Sequence, residues 1–91
     1  MVELGGNIIL EGFDSLDSGS LIIVKKIVGN YTKKIASNNM NYKRLKISLE
    51  NLDSYELRAE LIIGDNIHNS ESKDNNLFMA LNNVLNNLNN L

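Results

Sequence analysis

Near residue 40 the spacing of apolar residues changes period, and that change limits the folds open to the chain. From Ser20 to about Ser37, residues Val24, Ile27, Val28, Tyr31 and Ile35 recur three and four apart. At about 100° per residue this spacing puts them in one stripe of a helix. Asn38, Asn39 and Asn41 then interrupt the pattern. Beyond them Leu45, Ile47 and Leu49 alternate with Arg44, Lys46 and Ser48, and Tyr55, Leu57, Ala59, Leu61 and Ile63 alternate with Glu56, Arg58, Glu60 and Ile62. A period of two belongs to strands with one buried face. A striped helix followed by one-sided strands predicts a helix lying on a sheet.

The flanking segments complete that arrangement. Asn7–Phe13 is short, β-branched at its centre and bounded by glycines, so it reads as a first strand. Residues 1–6 are expected to be poorly ordered. Asp14–Gly19 is turn chemistry, and Asp17 or Ser18 can cap the helix that follows. Gly29 lies opposite the apolar stripe and weakens that helix by about 1 kcal/mol relative to Ala. The chain turns at Asn51–Ser54 and again at Gly64-Asp65-Asn66, where a hairpin leads into a third meander strand from Ile67 to about Glu71. A one-residue slip would exchange the faces of that strand. The register read here puts Ile67 inward with Ile63 and His68 outward. Asp74 is placed to cap a last helix, in which Leu77, Leu81, Val84, Leu88 and Leu91 recur four and three apart, widened by Phe78 and Leu85. The predicted fold is one α+β domain over 1–91, a two-layer β-α-β-β-β-α sandwich with a mostly antiparallel four-stranded sheet and two helices on one face.

Charge is distributed unevenly along this order. Ser18–Leu49 contains Lys25, Lys26, Lys33, Lys34, Lys43, Arg44 and Lys46 and no acid, whereas the rest of the chain sets Arg58 and Lys73 against all eleven acids. The formal net charge of −2 conceals this polarity. Segregated charge creates a local field that an anionic partner senses more strongly than the average. With 91 residues and no cysteine, stability must come from packing rather than from disulfides or thiolate metal sites. No apolar run approaches the roughly 18 residues of a membrane span, and no N-terminal signal pattern is present. A soluble, cytoplasmic protein is expected.

The element order, and the segment Asn76-Leu77-Phe78-Met79-Ala80-Leu81-Asn82 in particular, resembles the ribosome-hibernation and ribosome-associated translation-inhibitor family. In that family the last helix starts with an acid, Met or Leu, Tyr, any residue, Ala, and Ile or Leu, often followed by Asp. Leu77, Phe78, Ala80 and Leu81 fit this pattern, and Asn76 and Asn82 stand where acids are common. The Gly-Asp hairpin and the first strand followed by a basic helix match as well. The resemblance covers nearly the whole chain. It implies a fold similar to the double-stranded RNA-binding domain and a ribosomal RNA partner. One departure is that Asn83, Asn86, Asn87, Asn89 and Asn90 occupy the outer face of the last helix, where the family carries lysines and arginines. Any contact with RNA must therefore fall to the first helix and second strand.

Lys25, Lys26, Lys33, Lys43, Arg44 and Lys46 are accordingly the candidate RNA-binding residues. Lys26 and Lys33, seven apart, share a flank of the helix stripe, with Lys25 farther round toward solvent. Spread cations with few aromatics suit recognition of A-form RNA through its backbone and 2′-hydroxyls. The same lysines can equally be a solvated face, their stems covering apolar surface. Pairing about the Asn51–Ser54 turn would also bring Arg44 near Glu60, and Lys46 between Glu56 and Glu60. Tyr42 alone could join Arg44 on the open sheet face, too little for a single-strand stacking platform. His68 lacks a second ligand or a nucleophile to orient, and Gly5, Gly6 and Gly12 form no phosphate loop. Neither an enzyme nor a cofactor is expected. The functional expectation is a non-catalytic domain that occupies structured RNA, with the ribosome as the expected site, and so modulates translation. The alternative is a protein-interaction module or small homodimer using Ile62 at the sheet edge or the terminal Leu88 and Leu91.

Overall fold

The computed structural model describes residues 2–4, 7–51 and 53–89, the first three and the last by backbone alone. The sheet has the order β1 (Val2–Leu4), β2 (Ile8–Glu11), β3 (Tyr42–Asn51), β4 (Glu56–Ile63), β5 (Asn66–Lys73). Helix α1 (Ser18–Asn38) connects β2 to β3, and α2 (Leu77–Asn89) follows β5. Strands β2 and β3 are parallel, which demands a crossover such as α1, while every other pair is antiparallel. This is the α+β layout read from the sequence, with one addition: Val2–Leu4 pairs antiparallel to β2 as a fifth, edge strand.

The core lies between the sheet and the two helices. Leu45, Ile47 and Leu49 of β3 and Leu57, Ala59 and Leu61 of β4 are buried, as period two requires, against Val24, Val28 and Tyr31 of α1 and Leu77, Ala80, Leu81, Val84, Leu85 and Leu88 of α2. Thr32 is buried too, its hydroxyl returned to the Val28 carbonyl at 2.8 Å. Asp17 caps α1 by accepting from the Ser20 amide at 3.0 Å. Hydrogen bonds from the Ser20 hydroxyl and amide hold its carboxyl below the usual value. Gly12, between β2 and a 3-10 turn at Phe13–Ser15, has φ +81°, and a Cβ there would overlap the Leu49 carbonyl oxygen. Only glycine allows this close approach.

Several local expectations are corrected. Gly64 and Asp65 form a two-residue turn that pairs Ile63 with Asn66, hence Ile62 with Ile67 and Leu61 with His68. Ile67 is therefore outward and 60% exposed, and His68 faces inward. The inner face of β5 is polar, its Ser70 and Ser72 hydroxyls donating to the α2 carbonyls of Val84 (2.7 Å) and Ala80. The cap of α2 is Asn76, whose side chain accepts from the amides of Phe78 and Met79 at 2.9 and 3.2 Å, while Asp74 accepts from Asn76 itself. Tyr55 lies in the turn at φ +38° rather than in β4. Leu88 is only 3% exposed, so it belongs to this chain's own core and offers no free end for pairing. Leu91 lies outside the described residues, and Ile62 is half-buried on the open sheet face.

Candidate nucleic-acid interface

Helix α1 carries four of the lysines. Lys26, Lys33 and Lys34 are exposed, and Lys25 is half-buried, the reverse of its expected place farther out in solvent. Burial of Thr32 explains the difference, because it widens the core-facing arc of α1 toward the Lys25 side. From Lys25 to Lys34 the helix rises about 14 Å. Lys43 continues the series beyond the turn: the β3–β4 register shifts between Tyr42 and Arg44, leaving Lys43 as the exposed bulge residue. Bulges of this kind re-aim a side chain away from the ladder. Among the described residues no acid forms an ion pair with Lys25, Lys26, Lys33, Lys34 or Lys43.

The strand cations are placed differently. Arg44 donates to Glu60 at 3.0 Å, as the strand pairing suggested, but Lys46 meets Glu11 of β2 at 3.0 Å instead of Glu56 or Glu60. The parallel β2–β3 register aligns Glu11 with Ser48, one step diagonal from Lys46 on the same face. Arg58 is shared between Glu50 and Glu71 at 3.3 and 3.6 Å. Exposed pairs of this sort contribute little stability, about 0–1 kcal/mol each, but they neutralise charge. The open sheet face is thus a mosaic of both signs, and the cations without an ion pair among the described residues are those of α1, Lys43 at the bulge and Lys73 at the acidic end of β5.

The topology also turns the sequence polarity into an end-to-end polarity of the molecule. The structure measures 35 × 23 × 18 Å. A ten-residue strand spans about 33 Å, so the long axis follows the strands and helices. Lys33, Lys34, Lys43 and Arg44 lie at the end holding the α1 C-terminus and the β4–β5 turn, with Asp65 beside them. Glu11, Asp14, Asp17, Glu50, Asp53, Glu56, Glu71 and Asp74 gather at the opposite end, where both helices begin, with Arg58 and Lys73. Asp17, the N-cap of α1, and Asp74, just before α2, stand where a helix dipole favours an acid.

A cleft of about 460 Å³ opens along the α1 flank, bounded by Asn7 and Ile8, by Gly29, Thr32, Lys33 and Ala36, and by Tyr42. Gly29, read as lying opposite the stripe, instead lines this cleft. Tyr42 was expected on the open face with Arg44. The bulge at Lys43 reverses its phase, so that it pairs with Ile63 and packs against the core. Its hydroxyl donates to the Asn7 carbonyl at 3.3 Å, and burial raises its pKa. A smaller cleft between the helices is lined by Asn30, Lys34, Asn82 and Asn86. Lys34, Gly29 and the inward Tyr42 thus join the residues expected from the sequence. The exposed position of Lys34 was available from helical spacing, whereas the bulge that turns Tyr42 has no sequence signal.

Among the described residues no three His, Asp or Glu side chains come together as metal ligands, and no helix is long and apolar enough to cross a membrane. His68 faces the core side beside serines already committed to α2.

The fold itself is a two-layer α+β sandwich of a known kind. A solved structure similar to it is a ribosomal subunit interface protein from Coxiella burnetii, with a TM-score of 0.62 and 11% sequence identity over 92% of this chain and 90% of that one. No protein-family model matches the chain. No curated protein matches it either.

Proposed function

We propose that this domain binds structured RNA without catalysis, occupying a site on a ribosomal subunit in the cytoplasm and so modulating translation. The observation that carries this reading is the set of cations Lys25, Lys26, Lys33 and Lys34, spread over the outer half of α1 without an ion pair among the described residues and continued by Lys43, while Arg44, Lys46 and Arg58 of the sheet are each paired with an acid. A fold shared with a ribosomal subunit interface protein supports the same partner. The interface is narrower than the sequence suggested: Arg44 and Lys46, tied to Glu60 and Glu11, sit at its margin, and Lys34 joins it. Such a surface recognises phosphate spacing and A-form shape rather than base sequence.

The test is the salt dependence of binding to a structured ribosomal RNA fragment. Five phosphate contacts give a log–log slope of about −4, and Lys26→Glu with Lys33→Glu reduces it by about two. A slope near zero, or one unchanged in the double variant, refutes the reading. A second reading is self-association through the β5 edge. It is favoured by the exposure of Ile67 beside Ile62 on a strand of eight residues with no partner on its far side among the described residues. Sedimentation equilibrium with an Ile67→Lys variant tests it: a dimer dissociated by the substitution supports it, and a monomer refutes it.

A further inference from the structure

Gly29 sits in the middle of a 21-residue helix with no structural reason to be glycine. Its φ is not positive, and a Cβ built on it meets nothing within 4 Å. An alanine would fit and would favour the helix. Among the described residues, Gly12 and Gly64 are the glycines with positive φ, so Gly29 stands apart from them. The absent side chain instead leaves open the 460 Å³ cleft, whose far wall is Ile8 and the Tyr42 ring and whose rim carries Lys33.

That combination has a chemical meaning. The cleft lining is mostly apolar and contains no acid among its described residues. Tyr42 is half-buried, its ring held by packing against the core and its hydroxyl by the Asn7 carbonyl. A fixed aromatic wall, an apolar floor and one cation at the mouth match a planar ring attached to a phosphate. The cleft also adjoins the unpaired lysines of α1, so its occupant would arrive as part of the same polyanion.

We propose that this cleft receives one unstacked nucleotide of the bound RNA, with the base between Gly29 and Tyr42 and its phosphate at Lys33. This rests on the RNA-binding reading above and adds to it a preference for RNA that offers an unpaired base. A single aromatic wall accommodates one base and no continuous strand, which makes a bulge or helix junction the fitting partner rather than single-stranded RNA.

The experiment compares a fluorescein-labelled RNA hairpin containing one bulged nucleotide with the same hairpin fully paired, by fluorescence anisotropy at low salt. Wild type, Gly29→Ala, Gly29→Leu and Lys33→Gln are titrated in parallel. Wild type is expected to bind the bulged hairpin about tenfold more tightly, the scale of one base-stacking contact. Gly29→Leu fills the cleft and is expected to equalise the two hairpins while leaving the paired one bound as before. Gly29→Ala and Gly29→Leu are expected to melt at or above the wild-type temperature, which excludes unfolding as the cause. Equal wild-type affinity for both hairpins overturns the cleft proposal and leaves the RNA reading standing, as does a preference that survives Gly29→Leu. Failure to bind either hairpin overturns both.

Discussion

Three glycine-to-alanine substitutions in this chain should have three different outcomes, ordered by what surrounds each backbone position. At Gly12 the new Cβ meets two penalties. The residue sits at φ +81°, where an L-side chain is strained by about 1–2 kcal/mol. The Cβ also overlaps the carbonyl oxygen of Leu49 in β3, a strand hydrogen-bonded on both sides that cannot easily retreat. Forcing atoms into such packing costs a further 1–3 kcal/mol or so. Gly12→Ala should therefore lose about 2–5 kcal/mol. At Gly64, φ is +59° but the nearest atom is the Asn41 Cβ at 3.6 Å, so only the strain of about 1–2 kcal/mol remains. At Gly29 neither penalty applies, and Gly29→Ala should gain about 1 kcal/mol. In a domain of this size 1 kcal/mol moves Tm by about 4–8 °C, so urea titration and thermal melting followed by circular dichroism resolve all three. If Gly12→Ala proves no worse than Gly64→Ala, the 3-10 turn does not pack on β3 as described, and the reasoning fails.

Other outcomes follow from single side chains. Tyr31 is buried and its hydroxyl has no hydrogen-bond partner among the described residues. Tyr31→Phe should be neutral or stabilising by up to about 1 kcal/mol in urea titration, because it removes an unsatisfied polar group. Burial raises the Tyr31 pKa from 10.0 to about 12. A pKa raised in the folded state means a contribution present below pH 10 and lost as pH climbs from 10 toward 12. Wild type should therefore lose stability across that window relative to Tyr31→Phe, and parallel curves would refute the burial of the hydroxyl. Leu88→Ala should cost about 2–4 kcal/mol in the same urea titration, as a core truncation does. A loss below 1 kcal/mol would return Leu88 to the surface.

The fold was legible where one physical signal dominated. Alternation at Leu45, Ile47 and Leu49 and at Leu57, Ala59 and Leu61 identified the inner sheet face because one-sided burial leaves few other registers. The β5 register was misread for the opposite reason. Ile67 is the sole large apolar residue of that strand, and hydrophobicity alone sent it inward. The two-residue turn and the serine bonds to α2 outweighed it. Val2–Leu4 gave no signal, since three residues are too few to show a period. Within the candidate site, the lysines of α1 could be read from helical spacing. The loss of Lys46 to Glu11 could not, because it depends on the parallel pairing of two strands 37 residues apart in register. The bulge that exposes Lys43 and turns Tyr42 inward is equally invisible, being a property of how β3 meets β4.

The central claim is that α1, rather than the open sheet face, meets ribosomal RNA. Co-sedimentation of the protein with ribosomal subunits at low and high salt tests it most directly, with Lys26→Glu/Lys33→Glu and Arg44→Gln/Lys46→Gln variants alongside. The account predicts pelleting at low salt that high salt releases, that the α1 variant loses and that the strand variant largely keeps. No pelleting of the wild type at low salt, or loss in the strand variant with retention in the α1 variant, would contradict it.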